Sequence, residues 1–184
     1  MTHSFSSSVL HSLLNAQNSG KHFDVICTES RPVNEGVELA RTLGKAGIPV
    51  RLIPEAAVNL LLPETNLILV GADNISCRGL LNKIGTYLLA LAGHAAKVDF
   101  YALCSTLKFL SPQLPPLPDR DNASEEVLAE APPNVTPFNR YFETTPFNLC
   151  TGIVTEYGVL QPEKVLLALQ SMPAHPALSE MLKP

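Results

Sequence analysis

The stretch LILVGADNISCRGLLNKIGTYLLALAG, residues 67–93, decides the fold of this chain. Its apolar start, Leu67–Val70, is typical of a buried strand, and its leucine-rich end has the spacing of a helix. Asp73 closes the strand, and Asn82 and Lys83 are predicted to open the helix. Charged groups at such positions are costly unless they are solvated, paired or bound to a ligand. The stretch therefore predicts a strand, a loop and a helix with a polar site between them.

Short apolar runs alternate with helical patterns along the rest of the chain. Four runs predict strands that are covered on both faces, and these are Phe23–Cys27, Val50–Ile53, Leu67–Val70 and Phe100–Leu103. A last helix is predicted over Glu163–Ser171, with Pro162 in its first turn. This alternation predicts an α/β domain with a parallel sheet, and right-handed crossovers place helices on both faces of the sheet.

The composition favours one soluble domain over residues 1–184, with 46% hydrophobic and 16% charged residues. A formal charge of −4 argues against direct binding of nucleic acid, which normally requires a basic face. No apolar stretch approaches the roughly 20 residues of a membrane span, so we expect a cytoplasmic protein without a membrane partner. The cysteines are far apart, which predicts buried thiols, and they are Cys27, Cys77, Cys104 and Cys150.

Residues 111–137 interrupt the order of strands and helices. This segment holds seven of the sixteen prolines and five acidic residues, so we interpret it as a surface excursion or a mobile loop. The five histidines have no metal-ligand spacing, and no nucleotide-binding glycine motif is present. We therefore expect neither a metal nor a cofactor.

Asp73 and Lys83 are the first candidate site residues. Ligands of parallel sheets bind beyond the carboxyl ends of the strands, where Asp73 is predicted to lie, although an aspartate there also commonly caps a turn. A lysine in the first turn of a helix opposes the helix dipole, unless it and the free amides hold an anion together. Alternatively, Lys83 extends to water. Asn82 and Thr86 are predicted to lie on one side of that helix, beside Lys83.

Two further elements could hold a phosphate. Ser4 and Ser6 belong to a serine-rich segment before a helix, which is typical of an N-cap and could also cradle a phosphate. Arg31 follows the first predicted strand, where it could clamp a phosphate or pair with Glu29.

Four stretches in this order carry a family resemblance. They are THSFSSSVL, TESRPVNEG with GIPVRLI, VGADNI followed by NKIGTYLLAL, and TPFNLCTGIVTEYGV. Together they resemble the C-terminal domain of the initiation factor 2B alpha, beta and delta subunits. The same superfamily contains methylthioribose-1-phosphate isomerase and ribose-1,5-bisphosphate isomerase. The resemblance covers residues 2–165 outside the proline-rich segment.

The resemblance implies a Rossmann-like domain that assembles as a homodimer or a larger complex. In the isomerases, a cysteine after Thr-His and the aspartate of Gly-Ala-Asp transfer protons, and an Asn-Lys pair holds the sugar phosphate. Asp73 matches the catalytic aspartate, and Asn82 and Lys83 match the substrate-binding pair. Ser4 stands where the isomerases have cysteine. The family also has a helical N-terminal domain before this region, and we expect this chain to lack it.

Three functional hypotheses follow from these residues. The first is a non-catalytic domain that binds a phosphorylated sugar or nucleotide, as a regulatory or assembly subunit. The second is an aldose–ketose sugar-phosphate isomerase, which Asp73 favours and Ser4 opposes, because a hydroxyl is far less acidic than a thiol. The third is a scaffold subunit with a vestigial pocket. We favour the first.

Overall fold

The computed structural model describes residues 1–114, 121–174 and 177–178. Its strands form a seven-stranded sheet of order β10-β9-β7-β4-β1-β2-β3 and a three-stranded sheet of order β5-β6-β8. In chain order they are β1 (Thr2–His3), β2 (Val25–Thr28), β3 (Val50–Ile53), β4 (Leu67–Gly71), β5 (Asn74–Ser76), β6 (Gly79–Lys83), β7 (Asp99–Leu103), β8 (Phe142–Thr145), β9 (Gly152–Thr155) and β10 (Gly158–Leu160).

The large sheet is parallel except at one edge, where β10 runs antiparallel to β9. The small sheet is antiparallel throughout. The four predicted strands are all present in the large sheet, but the prediction that each is covered on both faces is wrong for β3, which lies at the sheet edge with Arg51 and Leu52 exposed. The two-residue strand β1, which lies between β4 and β2, was not predicted, because it is too short to form a recognisable apolar run.

Helices cover both faces of the large sheet, as predicted. They are α1 (Ser7–Asn18), α2 (Glu35–Lys45), α3 (Val58–Leu61), α4 (Thr86–Ala96) and α5 (Pro162–Gln170). Successive side chains of a strand point to opposite faces, and β2 illustrates this. Val25 and Cys27 pack with apolar residues of α1 and α2, whereas Ile26 belongs to the larger core that includes residues of α3, α4 and α5. The α/β prediction is therefore confirmed.

The chain reverses direction across the large sheet at β1. It runs from β1 outward to β2 and β3, and then returns to place β4 on the other side of β1. The carboxyl ends of β1 and β4 flank this topological switch point, which is where open parallel sheets bind their ligands. A ligand site is therefore expected at the loops that follow β1 and β4.

The predicted start of the helix after Asp73 is wrong. Asn82 and Lys83 lie on strand β6, and α4 begins at Thr86. The segment instead forms a hairpin in which β6 pairs with β5 and also with β8, and Gly79 takes a left-handed conformation (φ 133°) at the turn. Pairing with a distant strand thus outweighs the helical spacing that begins at Leu81.

Most of the described part of the proline-rich segment lies on the surface, although Ser111 at its start is buried. Residues 125–136 are exposed, and a single short 3-10 turn, Ser124–Glu126, gives the described part of 111–137 regular structure. Residues 115–120 lie outside the described residues. One prediction about the cysteines is also wrong, because Cys77 is exposed in the β5–β6 turn while the other three are buried.

Candidate functional site

Ser4 and Asp73 follow neighbouring strands at the switch point. β1 pairs with β4 through His3 and Val70, so the residues after these strands lie at the same edge of the sheet. Ser6 caps helix α1, where its hydroxyl accepts a hydrogen bond from the Val9 amide at 3.4 Å. The predicted cap is thus confirmed.

Ser6 also presses against the end of β4. A Cβ added to Gly71 would lie 2.5 Å from the Ser6 hydroxyl oxygen, so a glycine is needed for this approach. The start of α1 therefore lies directly against the strand that leads to Asp73.

Ser4 has an unusual backbone conformation. Its φ is 62°, in the left-handed region that residues other than glycine rarely occupy, and its amide donates to the Ser30 hydroxyl at 2.7 Å. Among the described residues, no hydrogen bond involves the Ser4 hydroxyl. Strained residues of this kind often cluster at functional sites.

His3 lies beneath Ser4 and is fully engaged by the fold. Its Nδ1 lies 2.6 Å from the Thr28 hydroxyl, and its Nε2 lies 2.8 Å from the Ile84 carbonyl oxygen. A carbonyl can only accept, so in the neutral ring Nε2 donates and Nδ1 accepts from Thr28. Burial lowers the pKa of His3 and favours this neutral form. Neither nitrogen is available to activate the Ser4 hydroxyl.

Lys83 is a buried cation at the end of β6. It is 3% exposed, its Nζ donates to Glu35 Oε1 at 2.5 Å, and it lies 4.2 Å from the centroid of the Tyr141 ring. Glu35 is the first residue of α2, so the pair joins the small sheet to this helix. Because Lys83 is not in a helix, the dipole argument made from the sequence does not apply to it.

The start of α4 is also not a free anion site. The Glu143 carboxylate accepts hydrogen bonds from the amides of Gly85 at 2.7 Å and of Tyr87 at 2.8 Å. The negative charge that the helix dipole favours there is thus supplied by β8 of the same chain. Any external anion near Lys83 must therefore bind elsewhere than on these two amides.

Asn82 and Thr86 do meet, although not on one helix. The Asn82 side-chain amide donates to the Thr86 hydroxyl at 2.9 Å, and that hydroxyl donates to the Lys83 carbonyl at 2.5 Å. Asn82 is buried on β6 and Thr86 opens α4. These bonds fix the short connection that carries Lys83.

Asp73 lies at the mouth of the site with two lysines near it. Loss of hydration raises the pKa of Asp73, although the positive charges of Lys108 and Lys83 oppose this shift. The Lys108 ammonium also donates to the Ala72 carbonyl, directly before Asp73. The sequence reasoning missed Lys108, although its place in a 3-10 turn soon after β7 could have indicated it.

Among the predicted ligand-binding residues, Arg31 has the least support from the structure. Its guanidinium donates to the Val127 carbonyl at 3.4 Å and is exposed, and no ion pair joins it to Glu29. The arginine therefore contacts the described part of the proline-rich segment.

Across residues 1–114, 121–174 and 177–178, no group of three His, Cys, Asp or Glu side chains could hold a metal ion. Over the same residues, no helix is both long and apolar enough to cross a bilayer.

The arrangement combines a buried cation, a carboxyl group with a raised pKa and a hydroxyl that forms no hydrogen bond with any described residue. Lys83, Asp73 and Ser4 supply these groups at the carboxyl edge of the sheet. A cation in partly desolvated surroundings binds an oxyanion more strongly than it would in water. Chemically, the site offers a cation to an oxyanion, with a hydroxyl and a carboxyl group for polar groups next to it.

Comparison with known proteins gives consistent matches over most of the chain. The model of the initiation factor 2 subunit family matches residues 1–162. A Pyrococcus horikoshii protein named as an eIF-2B subunit 2-like translation initiation factor is 41% identical, covering 89% of this chain and 58% of its own length. The ribose 1,5-bisphosphate isomerase of Archaeoglobus fulgidus is 36% identical, covering 98% of this chain and 59% of its own.

A solved structure supports the same relationship. The crystal structure of 5-methylthioribose 1-phosphate isomerase from Pyrococcus horikoshii superposes with a TM-score of 0.77 at 28% identity. The match covers 91% of this chain and 53% of that one. This chain thus spans little more than half the length of the relatives it matches.

Proposed function

Because the chain belongs to the initiation factor 2 subunit family, we propose that it binds a phosphorylated sugar or nucleotide without converting it. The ligand would lie at the switch point, with its phosphate near Lys83 and its polar body near Ser4 and Asp73. Relatives of this chain are named both as initiation factor subunits and as sugar-phosphate isomerases. The choice between binding and turnover therefore depends on the residues of the site.

The surroundings of Ser4 carry the argument against turnover. Proton transfer through this residue would need a base near its hydroxyl, because a serine hydroxyl is a very weak acid. The neighbouring His3 has both ring nitrogens engaged by Thr28 and Ile84. Among the described residues no other group bonds the Ser4 hydroxyl, so Ser4 is suited to donate a hydrogen bond to a ligand.

The pair of Lys83 and Glu35 supports a ligand with both phosphate and hydroxyl groups. An ammonium has three donors, and one of them points to Glu35 Oε1, so others remain for phosphate oxygens. Glu35 Oε2 is buried and has no hydrogen-bond partner in the described part of the chain. A sugar hydroxyl could donate to this oxygen.

The isomerase hypothesis keeps one specific observation in its favour. Asp73 has a raised pKa, which suits a carboxyl group that takes up and releases protons. If this chain does isomerise a sugar phosphate, Asp73→Asn should remove the activity. Turnover that persists in this variant would exclude Asp73 as the proton carrier.

Calorimetric titration would test the binding proposal. The probes are ribose 1,5-bisphosphate, 5-methylthioribose 1-phosphate and a set of nucleoside monophosphates, with unphosphorylated ribose as the control ligand. We expect saturable binding of at least one phosphorylated probe and at least a tenfold loss of affinity in Lys83→Met. Lys164→Met is the matched control, because Lys164 is exposed on α5 and remote in sequence from the site.

Each outcome separates the hypotheses. Binding without isomerisation of the bound probe, measured by NMR, would support the non-catalytic proposal, and turnover would replace it with the isomerase hypothesis. No binding by any probe would favour a scaffold subunit with a vestigial pocket.

We also propose that the chain forms a homodimer or larger assembly in the cytoplasm. A monomeric mass by light scattering at micromolar concentration would contradict this assembly.

A further inference from the structure

A second pocket of about 280 Å³ lies on one face of the small sheet, apart from the switch point. The strand register places Asn74 opposite Leu81, and Leu81 opposite Thr144, so these three side chains share that face. The β5–β6 turn and the loop after Phe109 complete the walls. The pocket residues are Asn74, Ser76, Cys77, Arg78, Leu81, Leu110, Ser111, Pro112, Leu114 and Thr144. Ser4, Asp73, Asn82, Lys83 and Lys108 are not among them.

Asn74 offers a polar group to a ligand in this pocket. The residue lines the pocket and is only 7% exposed, and its side chain forms no hydrogen bond with any described residue. Its amide atoms are not among the buried polar atoms that lack a partner, so they reach the open space of the pocket. The amide can therefore exchange a water molecule for a hydrogen-bonding group of a ligand.

The charge of the pocket selects an anion. Arg78 carries the single formal charge among the ten lining residues, on a chain whose net charge is −4. None of these ten described residues is acidic. Ser76 and Thr144 also line this space, and their hydroxyls and the Asn74 amide are groups that can donate hydrogen bonds to an oxyanion.

The apolar wall of the pocket comes mostly from the loop after Phe109. Leu110, Pro112 and Leu114 belong to this loop, and Leu81 adds to it from the sheet face between Asn74 and Thr144. The Ser111 hydroxyl is already committed to the Met172 carbonyl at 2.8 Å. A free inorganic ion would leave this wall exposed to water. We propose that the pocket binds a small organic carboxylate, with the carboxylate at Arg78 and Asn74 and a short apolar body on the leucine wall.

Cys77 provides a direct reporter of occupancy. It is exposed and lines the pocket, whereas the other three cysteines of the chain are buried. Burial raises the pKa of Cys27 and Cys150 to about 12 and that of Cys104 to about 11, so these thiols are unreactive near neutral pH. Iodoacetamide should therefore label Cys77 first in the folded protein.

The experiment measures the rate of Cys77 alkylation by mass spectrometry at increasing concentrations of 3-methylbutyrate. We expect saturable protection, with the rate falling about fivefold or more. Two control ligands separate the contributions: 3-methylbutyramide has the same body without the charge, and inorganic phosphate has charge without the body. Neither should protect to the same extent at equal concentration.

Variants of the arginine complete the test. Arg78→Gln should abolish protection while leaving the unprotected alkylation rate within about twofold, because Arg78 is exposed in the turn. Arg41→Gln alters an exposed arginine on α2, and in this variant 3-methylbutyrate should protect Cys77 as it does in the unaltered protein. Three results would each overturn the proposal. They are protection that is absent or does not saturate, equal protection by the amide or by phosphate, and protection that persists in Arg78→Gln. Lys83→Met should retain protection, and its loss there would place the carboxylate at the other site.

Discussion

The ion pair between Lys83 and Glu35 allows a test of the candidate site that needs no ligand. Lys83→Met removes the ammonium and keeps an unbranched apolar stem. The variant loses a 2.5 Å hydrogen bond between charged groups and a contact with the Tyr141 ring, and it leaves Glu35 without its cation. Breaking a fully buried pair costs about 3–5 kcal/mol, and a hydrogen bond to a charged group contributes about 1.5–3 kcal/mol.

The expected cost lies toward the lower of these ranges. The Glu35 side chain is 31% exposed, so water can partly hydrate its carboxylate once the lysine is gone. We expect the free energy of unfolding to fall by about 2 kcal/mol, which lowers Tm by about 4–8 °C in a domain of this size. Urea denaturation would measure the free energy, and calorimetry would measure Tm.

A double variant isolates the pair. Adding Glu35→Gln to Lys83→Met removes the stranded charge, so the double variant should be more stable than Lys83→Met alone. Lys164→Met, on the exposed face of α5, should change stability by less than about 0.5 kcal/mol. If Lys83→Met were as harmless as Lys164→Met, the lysine would not be held as the structure has it, and the argument for an ordered cation at this site would fail.

Three further predictions concern the scaffold around the site. Burial lowers the pKa of His3 in the folded protein below its unfolded value near 6.5, so its contribution to stability is complete above pH 6.5. This contribution is lost as pH falls from 6.5 to the folded pKa, and His3→Gln should flatten the decline in unfolding free energy over this pH interval. Gly36→Ala should prevent α2 from packing, because its Cβ would lie 1.9 Å from the Thr28 carbonyl oxygen. Gly44→Ala in the same helix should raise the free energy of unfolding by about 1 kcal/mol, and thermal melts would compare the two variants. Glu143→Gln should destabilise by about 1 kcal/mol in urea titrations, since the start of α4 loses its charged acceptor.

Local patterns were sufficient for most of the large sheet. Strand β2 is buried at all four positions and its residues 25–27 are apolar, so it is recognisable without knowing its neighbours. The Ser6 cap and Pro162 at the start of α5 were predictable for the same reason, since each acts within one helical turn. The strand β1 could not be predicted in this way, because its two residues become a strand only between β2 and β4.

The three-stranded sheet could not be predicted from local spacing. Leu81, Ile84 and Leu88 fit one face of a helix, yet Leu81 pairs with Thr144, about sixty positions further along the chain. Neither strand of the β5–β6 hairpin alternates clearly enough to indicate pairing. The hydrogen bonds to β8 and the left-handed turn at Gly79 decide the outcome, and both depend on tertiary context.

The corrected position of Lys83 strengthens the functional argument. A lysine in an exposed first helical turn opposes the dipole by only about 0.3–1 kcal/mol, a cost that many proteins tolerate without function. A lysine that is 3% exposed at a strand end loses nearly all of its hydration, which costs several kcal/mol before Glu35 and Tyr141 offset it. An apolar side chain would fill the same space without this cost. The retention of a cation there, beside a buried carboxylate oxygen with no partner among the described residues, is explained if a ligand completes the site.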